Sequence, residues 1–125
     1  MKRIRFSTTA EDQLTGILAT TIDRFGQIQA ERYAAKIDAS LRAAAAGEPP
    51  HPRPCSTLFG GEPDAGEFHN LSFVRVGSHF LILDIADDRL DVVAILHARS
   101  NLETHLAALS TSPVEDDDRT DAPGV

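Results

Sequence analysis

The sequence is poor in the features that mark disulfide-linked, zinc-binding and membrane-spanning proteins. Cys55 is the only cysteine, so the chain can form neither an internal disulfide nor a zinc site built from paired thiolates. No apolar run approaches the roughly 18 to 20 residues that a membrane-spanning helix needs. The N-terminal MKRIRFSTTAED also lacks the long apolar segment of a secretory signal. We therefore expect a cytoplasmic protein with no metal and no cofactor.

Positive charge is also scarce, and more than half of the net negative charge lies at the C-terminus. The formal net charge is −7. Residues 110–125 hold Arg119 and the five carboxylates of Glu115, Asp116, Asp117, Asp118 and Asp121, a net charge of −4, so residues 1–109 carry the remaining −3. Such a segment buries too little apolar surface to offset its ordering entropy. We predict one folded domain over residues 1–109 and a disordered acidic tail over 110–125. The acidic domain argues against non-specific nucleic-acid binding.

The N-terminal half predicts a strand followed by two helices. RIRFST alternates apolar and polar residues, which is the period of a half-buried strand. Thr8 stands three residues before Glu11, a capping-box pattern that predicts the start of a helix ending at Gly26. A second helical pattern runs to Gly47. The apolar positions of the two helices are Leu14, Ile17, Leu18, Ile22 and Phe25, and Ala30, Tyr33, Ala34, Ile37, Leu41 and Ala44 or Ala45. The short break between them predicts an antiparallel hairpin.

The C-terminal half predicts an antiparallel sheet after a proline-rich loop. EPPHPRPC has four prolines in eight residues, which excludes a regular helix or a central strand. Three strand-like runs follow, FHNLSFVRV, HFLILDIA and LDVVAILHA, separated by short turn sequences. Ser100 and Glu103 form another capping pattern that predicts a short final helix. The fold class is therefore α+β, with the helical hairpin packed on a three-stranded meander.

This order of elements resembles the RelE/ParE superfamily of toxins from bacterial type II toxin–antitoxin modules. The most specific part is VRVGSHFLILDIADDRLDVVAILHARSN, residues 74–101, in which two apolar strands joined by an acidic turn end in His-x-Arg and a polar residue. EDQLTGILATTIDRFGQIQAERYAAKIDASLRAAAAG matches the spacing of the superfamily's early helices. The resemblance covers about residues 3–109. It implies a toxin that a cognate antitoxin neutralises.

The resemblance leaves the target of the toxin open. RelE-like members are ribosome-dependent endoribonucleases, whereas ParE-like members inhibit DNA gyrase by binding and have no recognised catalytic centre. Metal-free RNA cleavage needs a base, an acid and cations for the phosphate, and RelE-like nucleases are similar in supplying them from lysine, arginine and a C-terminal tyrosine or histidine. This chain has no lysine after Lys36, and its only tyrosine, Tyr33, belongs to a helical pattern. We therefore expect a ParE-like gyrase inhibitor rather than an enzyme.

The alternative is a RelE-like nuclease that acts on ribosome-bound mRNA through His97, Arg75 and Arg99, with His105 as a substitute base if the last helix folds back. A third possibility is an inactive relative that only binds antitoxin. Histidines at strand ends usually satisfy a local hydrogen bond, which is the plain structural explanation of His97.

The resemblance also implies that acidic antitoxin residues pair with arginines of the toxin. The candidates are Arg3, Arg5, Arg24, Arg32, Arg42, Arg75 and Arg99. We favour Arg75 and Arg99 as partner-binding residues, since a guanidinium where a strand leaves the sheet can hold a carboxylate or a phosphate.

Overall fold

The fold has two layers, a helical hairpin and a five-stranded sheet. The computed structural model describes residues 1–59, 71–102 and 104–106. The elements are β1 (Arg3–Phe6), α1 (Thr8–Phe25), α2 (Gln27–Ala46), β2 (Arg53–Pro54), a 3-10 helix (Cys55–Phe59), β3 (Ser72–Val76), β4 (His79–Ile85) and β5 (Arg89–His97). Residues 102 and 104–106 are helical. The predicted acidic tail, residues 110–125, lies outside the described residues. No helix of the described part is both long and apolar enough to cross a membrane.

The sheet has the order β1-β5-β4-β3-β2. Strands β3, β4 and β5 form the predicted antiparallel meander. The N-terminal strand pairs in parallel with β5 at one edge, and the two-residue β2 pairs with β3 at the other edge. A proline is tolerated at that edge because no further strand requires its missing N–H.

Helix α1 begins after Ser7, so the predicted capping box of Thr8 and Glu11 is wrong by one residue. The Ser7 N–H donates to the Val92 carbonyl at 2.9 Å, which keeps Ser7 extended beside β5. Its Oγ accepts a hydrogen bond from the Ala10 N–H at 3.0 Å and so caps the helix. The same Oγ donates to the Val93 carbonyl at 3.0 Å. Ser7 therefore ties the helix start to the edge of the sheet.

A one-residue bulge in β5 changes the register of the β4–β5 pair. Leu83 lies opposite Val92 and Ile82 lies opposite Ala94, so Val93 has no partner in β4. Because the bulge inserts one residue, the side chains of β5 after Val93 point to the opposite face of the sheet from the one that uninterrupted alternation would give. As a result, His97 lies opposite His79.

The sheet is buried on both faces, which agrees with the nearly continuous apolar runs HFLILDIA and LDVVAILHA of its central strands. One core lies between the hairpin and the sheet and includes Ile37, Leu41, Leu81 and Leu83. The second core lies on the other face, where Cys55 and Leu106 pack against the sheet. Both cores end before the tip of the hairpin. There, the apolar side chains of Ile22, Phe25 and Ile28 are 48%, 66% and 67% exposed.

A basic groove between the helical hairpin and the sheet

An open groove of about 1230 Å³ lies between the helical hairpin and the ends of β4 and β5. Its lining includes three cationic side chains, those of Arg24, Arg32 and Lys36, and the imidazoles of His79 and His97. Among the described residues, no aspartate or glutamate lines it. Because the domain as a whole is acidic, this surface is locally opposite in charge to the rest of the chain.

The groove is open at β5 because β1 is too short to cover that strand completely. The pairing of β1 with β5 ends at Phe6 and Val92. Beyond that point the Ile95 N–H donates to Oε1 of Gln13, on α1, at 2.6 Å. A helix side chain thus takes the place of a strand carbonyl. This contact satisfies the edge of β5 without adding backbone that would close the groove.

Tyr33 connects the hairpin to the turn between β3 and β4. Its hydroxyl donates to the Val76 carbonyl at 2.6 Å, and its oxygen lies 2.6 Å from Nδ1 of His79. Since the single hydroxyl hydrogen is used on the carbonyl, we assign a hydrogen to His79 Nδ1 that the tyrosine oxygen accepts. Burial raises the pKa of Tyr33, and a backbone hydrogen bond with Ser78 partly opposes this.

Gly77 allows this close approach of Tyr33. Its φ is +57°, in the left-handed region. A Cβ built there would lie 2.9 Å from Cε1 and 3.1 Å from the hydroxyl oxygen of Tyr33. The glycine of the predicted turn is therefore required both by its backbone conformation and by the packing of the tyrosine ring.

The two histidines meet edge to face in the lining of the groove. Their ring centroids are 5.1 Å apart, with an angle of 84° between the planes. His97 Nδ1 accepts a hydrogen bond from the Arg99 N–H at 3.0 Å, which leaves Nε2 as the protonated nitrogen of the neutral ring. Burial lowers the pKa of His79, and the positive charge of a protonated His97 lowers it further. The pair therefore resists double protonation.

The structure does not bring the predicted set of His97, Arg75 and Arg99 together. Side chains alternate along a strand, and Arg75 lies on the face opposite His97, where its guanidinium is 5.4 Å from the Phe80 ring. Its Nε donates to the Gly77 carbonyl at 2.9 Å. Arg99 is exposed just beyond β5. His105 is exposed on the helical turn whose Leu106 packs on that opposite face.

Of the other predicted arginines, two line the groove, two form ion pairs and Arg3 is exposed on β1. Arg24 and Arg32 line the groove. Arg42 pairs with Asp38 at 2.7 Å, and Arg5 lies 3.7 Å from Asp91. Exposed pairs of this kind contribute little to stability, typically about 0–1 kcal/mol.

Sequence reasoning counted His79 among the available catalytic side chains but did not place Lys36 and Tyr33 in one site with it. A signal was present, because Arg32 and Lys36 are four residues apart and Tyr33 follows Arg32, so all three lie near one side of a helix. It was not sufficient, because the sequence does not show that this side faces the ends of β4 and β5.

The single cysteine takes no part in the groove. Cys55 is fully buried in the second core, and burial raises the pKa of its thiol to about 12. An inert, protonated thiol is expected of such a site. Within the described ranges, no group of three or more histidine, cysteine, aspartate or glutamate side chains is placed to hold a metal ion.

The arrangement suits the binding of an anionic group beside an apolar surface. Arg24, Arg32 and Lys36 can neutralise carboxylates or phosphates, while Ile17 and Phe25 supply apolar contact area in the same groove. The hydroxyl of Tyr33 and the imidazoles of His79 and His97 also give a set of proton donors and acceptors beside these cations.

The fold belongs to a class already known from solved toxin–antitoxin structures. A structure described as the chromosomal ParDE TA system from P. aeruginosa matches with a TM-score of 0.55, over 79% of this chain and 98% of that chain, at 10% identity. At that identity the match shows the fold alone.

The sequence comparisons define the family. The model of the ParE toxin of the type II toxin–antitoxin system, parDE, matches residues 4–102. A protein named Toxin ParE from Escherichia coli is 36% identical over 99 residues, which cover 78% of this chain and 86% of that protein. The chain belongs to the ParE toxin family of type II toxin–antitoxin systems. This confirms the predicted resemblance and its closer likeness to ParE-like members.

Proposed function

We propose that this ParE-type toxin acts in the cytoplasm by binding DNA gyrase and that a cognate antitoxin neutralises it by occupying the basic groove. The observation that carries the proposal is a groove with three cations, no described carboxylate and an apolar lining. An acidic, amphipathic antitoxin segment is complementary to it in both charge and hydrophobicity. As in the sequence-based hypothesis, Arg99 at the end of β5 and Arg75 remain candidate partner contacts.

The tip of the hairpin is the surface that we assign to gyrase. Ile22, Phe25 and Ile28 are the exposed large apolar residues of this region, and exposed apolar clusters are typical of protein-binding surfaces. Phe25 also lines the groove. An antitoxin bound in the groove therefore covers part of the surface that gyrase needs, which gives a direct route to neutralisation.

The groove is tested with matched charge reversals. Arg24→Glu combined with Arg32→Glu should weaken antitoxin binding by at least tenfold in a salt-dependent manner, measured by titration calorimetry. Arg3→Glu combined with Arg42→Glu makes the same charge change at two exposed positions outside the groove and should change the affinity less than threefold. Equal effects of the double variant and the control would contradict the groove assignment.

The target is tested by expressing the chain without antitoxin while following growth, gyrase supercoiling and mRNA cleavage in parallel. The proposal expects growth arrest with inhibited supercoiling and intact transcripts. Phe25→Ser with Ile28→Ser should relieve the inhibition and leave the fold unchanged, because both side chains are exposed. Cleaved transcripts with unaffected supercoiling would exclude gyrase as the target, while normal growth would favour an inactive relative that binds antitoxin.

The second candidate is a ribosome-dependent mRNA endonuclease, and one observation favours it. Tyr33, His79 and His97 lie together beside Lys36, so a base, an acid and a cation share one groove. In this version Arg75 does not assist His97, because its side chain lies on the opposite face of the sheet. His97→Ala should abolish mRNA cleavage and toxicity if the chain is a nuclease, and should leave toxicity largely intact if it acts by docking.

A further inference from the structure

The acidic C-terminal segment of this chain is chemically complementary to the basic groove. Residues 110–125 carry five carboxylates and one arginine, and the groove carries three cations and two histidines with no described carboxylate. Opposite charges held on one chain meet at a high effective concentration, in the millimolar range for short linkers. A weak contact of this kind can therefore be populated within one molecule.

The covalent connection is long enough for the two to meet. His97, in the groove, and Leu106, packed on the opposite face of the sheet, are nine residues apart. Another nine residues separate Leu106 from Glu115, the first carboxylate of the tail. An extended chain spans up to about 3.3–3.6 Å per residue, so these nine residues reach about 30 Å. The chain passes from the groove at His97 to Leu106 in nine residues, and the nine residues from Leu106 to Glu115 are enough to bring the tail back to the groove.

We propose that the acidic segment 115–121 occupies the basic groove of its own chain and competes there with the acidic segment of a protein partner. The competition rests on the proposed function of the groove, but occupation of the groove by the tail does not. The tail segment VEDDDRTDAPGV has few apolar side chains, so the contact is mainly electrostatic and is weakened by salt. The bound tail makes the groove selective among acidic partners, because a partner displaces the tail only by adding apolar contacts that the tail lacks.

Occupation by the tail has a measurable effect on partner affinity. A site that is free for only a fraction of the time binds its partner with an apparent Kd raised by the inverse of that fraction. If the tail fills the groove about nine-tenths of the time at low salt, removing its charges tightens partner binding about tenfold. The gain should disappear at about 0.5 M salt, where screening extends over only a few ångströms.

The direct test is zero-length carbodiimide cross-linking of the full-length protein, because the chain has only two lysines. Lys36 lines the groove. Lys2 lies at the far end of the sheet, where its Nζ donates to the Ala86 and Asp87 carbonyls at 2.8 and 2.9 Å. We expect mass spectrometry to find Lys36 joined to the carboxylates of residues 115–121, with Lys2 serving as the internal control.

Four comparisons make the result decisive. Full-length protein with Arg32→Glu, which keeps every tail carboxylate, should lose most of the Lys36 cross-link. A neutral-tail variant with Glu115→Gln, Asp116→Asn, Asp117→Asn, Asp118→Asn and Asp121→Asn identifies any Lys36 bond that comes from other carboxylates. Mixed ¹⁴N and ¹⁵N protein should give cross-links within single chains. The neutral-tail variant should bind a synthetic peptide of residues 110–125, and adding Arg32→Glu should abolish that binding.

The proposal is overturned if Lys36 forms no bond with the tail, if Lys2 reacts with the tail to the same extent, or if the cross-links join different chains. Those outcomes leave antitoxin binding and gyrase inhibition untouched, because both are measured with the partner present. Conversely, an intact Lys36 cross-link without gyrase inhibition would refute the proposed target and support the tail contact.

Discussion

Removing the hydroxyl of Tyr33 tests the contact that holds the hairpin to the sheet. Tyr33→Phe retains the ring against Gly77 and deletes only the oxygen, which makes 2.6 Å contacts with the Val76 carbonyl and with His79 Nδ1. Each hydrogen bond of this kind contributes about 0.5–1.5 kcal/mol net. For two bonds in a partly buried position, we expect the free energy of unfolding to fall by about 1–2 kcal/mol.

Urea unfolding followed by far-ultraviolet circular dichroism measures this loss. With a slope of about 1–2 kcal/mol/M, the midpoint should fall by about 1 M. Thr21→Val is the matched control, because it deletes a hydroxyl whose 2.8 Å bond to the Ile17 carbonyl stays within one helix. That control should change the midpoint by less than half as much, since the Ile17 carbonyl keeps its helical hydrogen bond from the Thr21 N–H.

A second measurement separates the hydrogen bonds from a general loss of packing. Nitrogen chemical shifts of His79 report which ring nitrogen carries the hydrogen. The structure assigns it to Nδ1 in the neutral ring because Tyr33 accepts from that nitrogen. In Tyr33→Phe the tautomer is no longer held, so the shifts should change while those of His105 stay fixed. A destabilisation no larger than that of Thr21→Val, together with unchanged His79 shifts, would refute the reasoning.

Four further predictions follow from the same region. Gly77→Ala should destabilise the fold by about 1–3 kcal/mol in the same urea assay, through the left-handed φ and the clash with Tyr33. Gly47→Ala is the control that measures the backbone part alone, because Gly47 has φ +76° and no atom lies within 4 Å of its added Cβ. Because burial and His97 lower the pKa of His79, the unfolded chain binds more protons, so this histidine should reduce stability as the pH falls below about 6.5; His79→Gln should flatten the dependence of the urea midpoint between pH 7.5 and 5, and an unchanged slope would contradict the assignment. Gln13→Leu should cost about 1 kcal/mol and speed hydrogen exchange at the Ile95 N–H, which loses its acceptor. Tyr33 is the only tyrosine and the chain has no tryptophan, so absorbance at 295 nm should show a midpoint above 10 in the native protein that returns to about 10 in urea.

Much of the fold follows from local patterns in the sequence. The alternation of RIRFST, the two helical repeats and the nearly continuous apolar runs of β4 and β5 predict these elements and the meander, because each pattern reflects burial on one face or on both. The prediction failed at the start of α1. Ser7 becomes the cap because its N–H and hydroxyl bind the carbonyls of Val92 and Val93, which lie more than eighty residues away, whereas Thr8 and Glu11 only matched a local motif.

The candidate site depends on a feature that no local pattern reveals. On the turn side of the bulge, Leu83 lies opposite Val92 and Ile85 lies opposite Leu90. Continued without interruption, that register would set His79 opposite Leu96 and would turn His97 toward the second core. The extra residue at Val93 shifts the register by one, so His97 lies opposite His79 on the groove face.

The bulge thus determines whether the two histidines form a site at all, and helix α1 stabilises it. Ser7 Oγ donates to the carbonyl of the bulged Val93, and Gln13 accepts from the N–H of Ile95 two residues later. Both side chains are on or next to α1, so the packing of the hairpin and the register of the sheet stabilise each other. The sequence shows that His79 begins one strand and that His97 ends the next, but only this tertiary contact determines that they face the same groove as Tyr33 and Lys36.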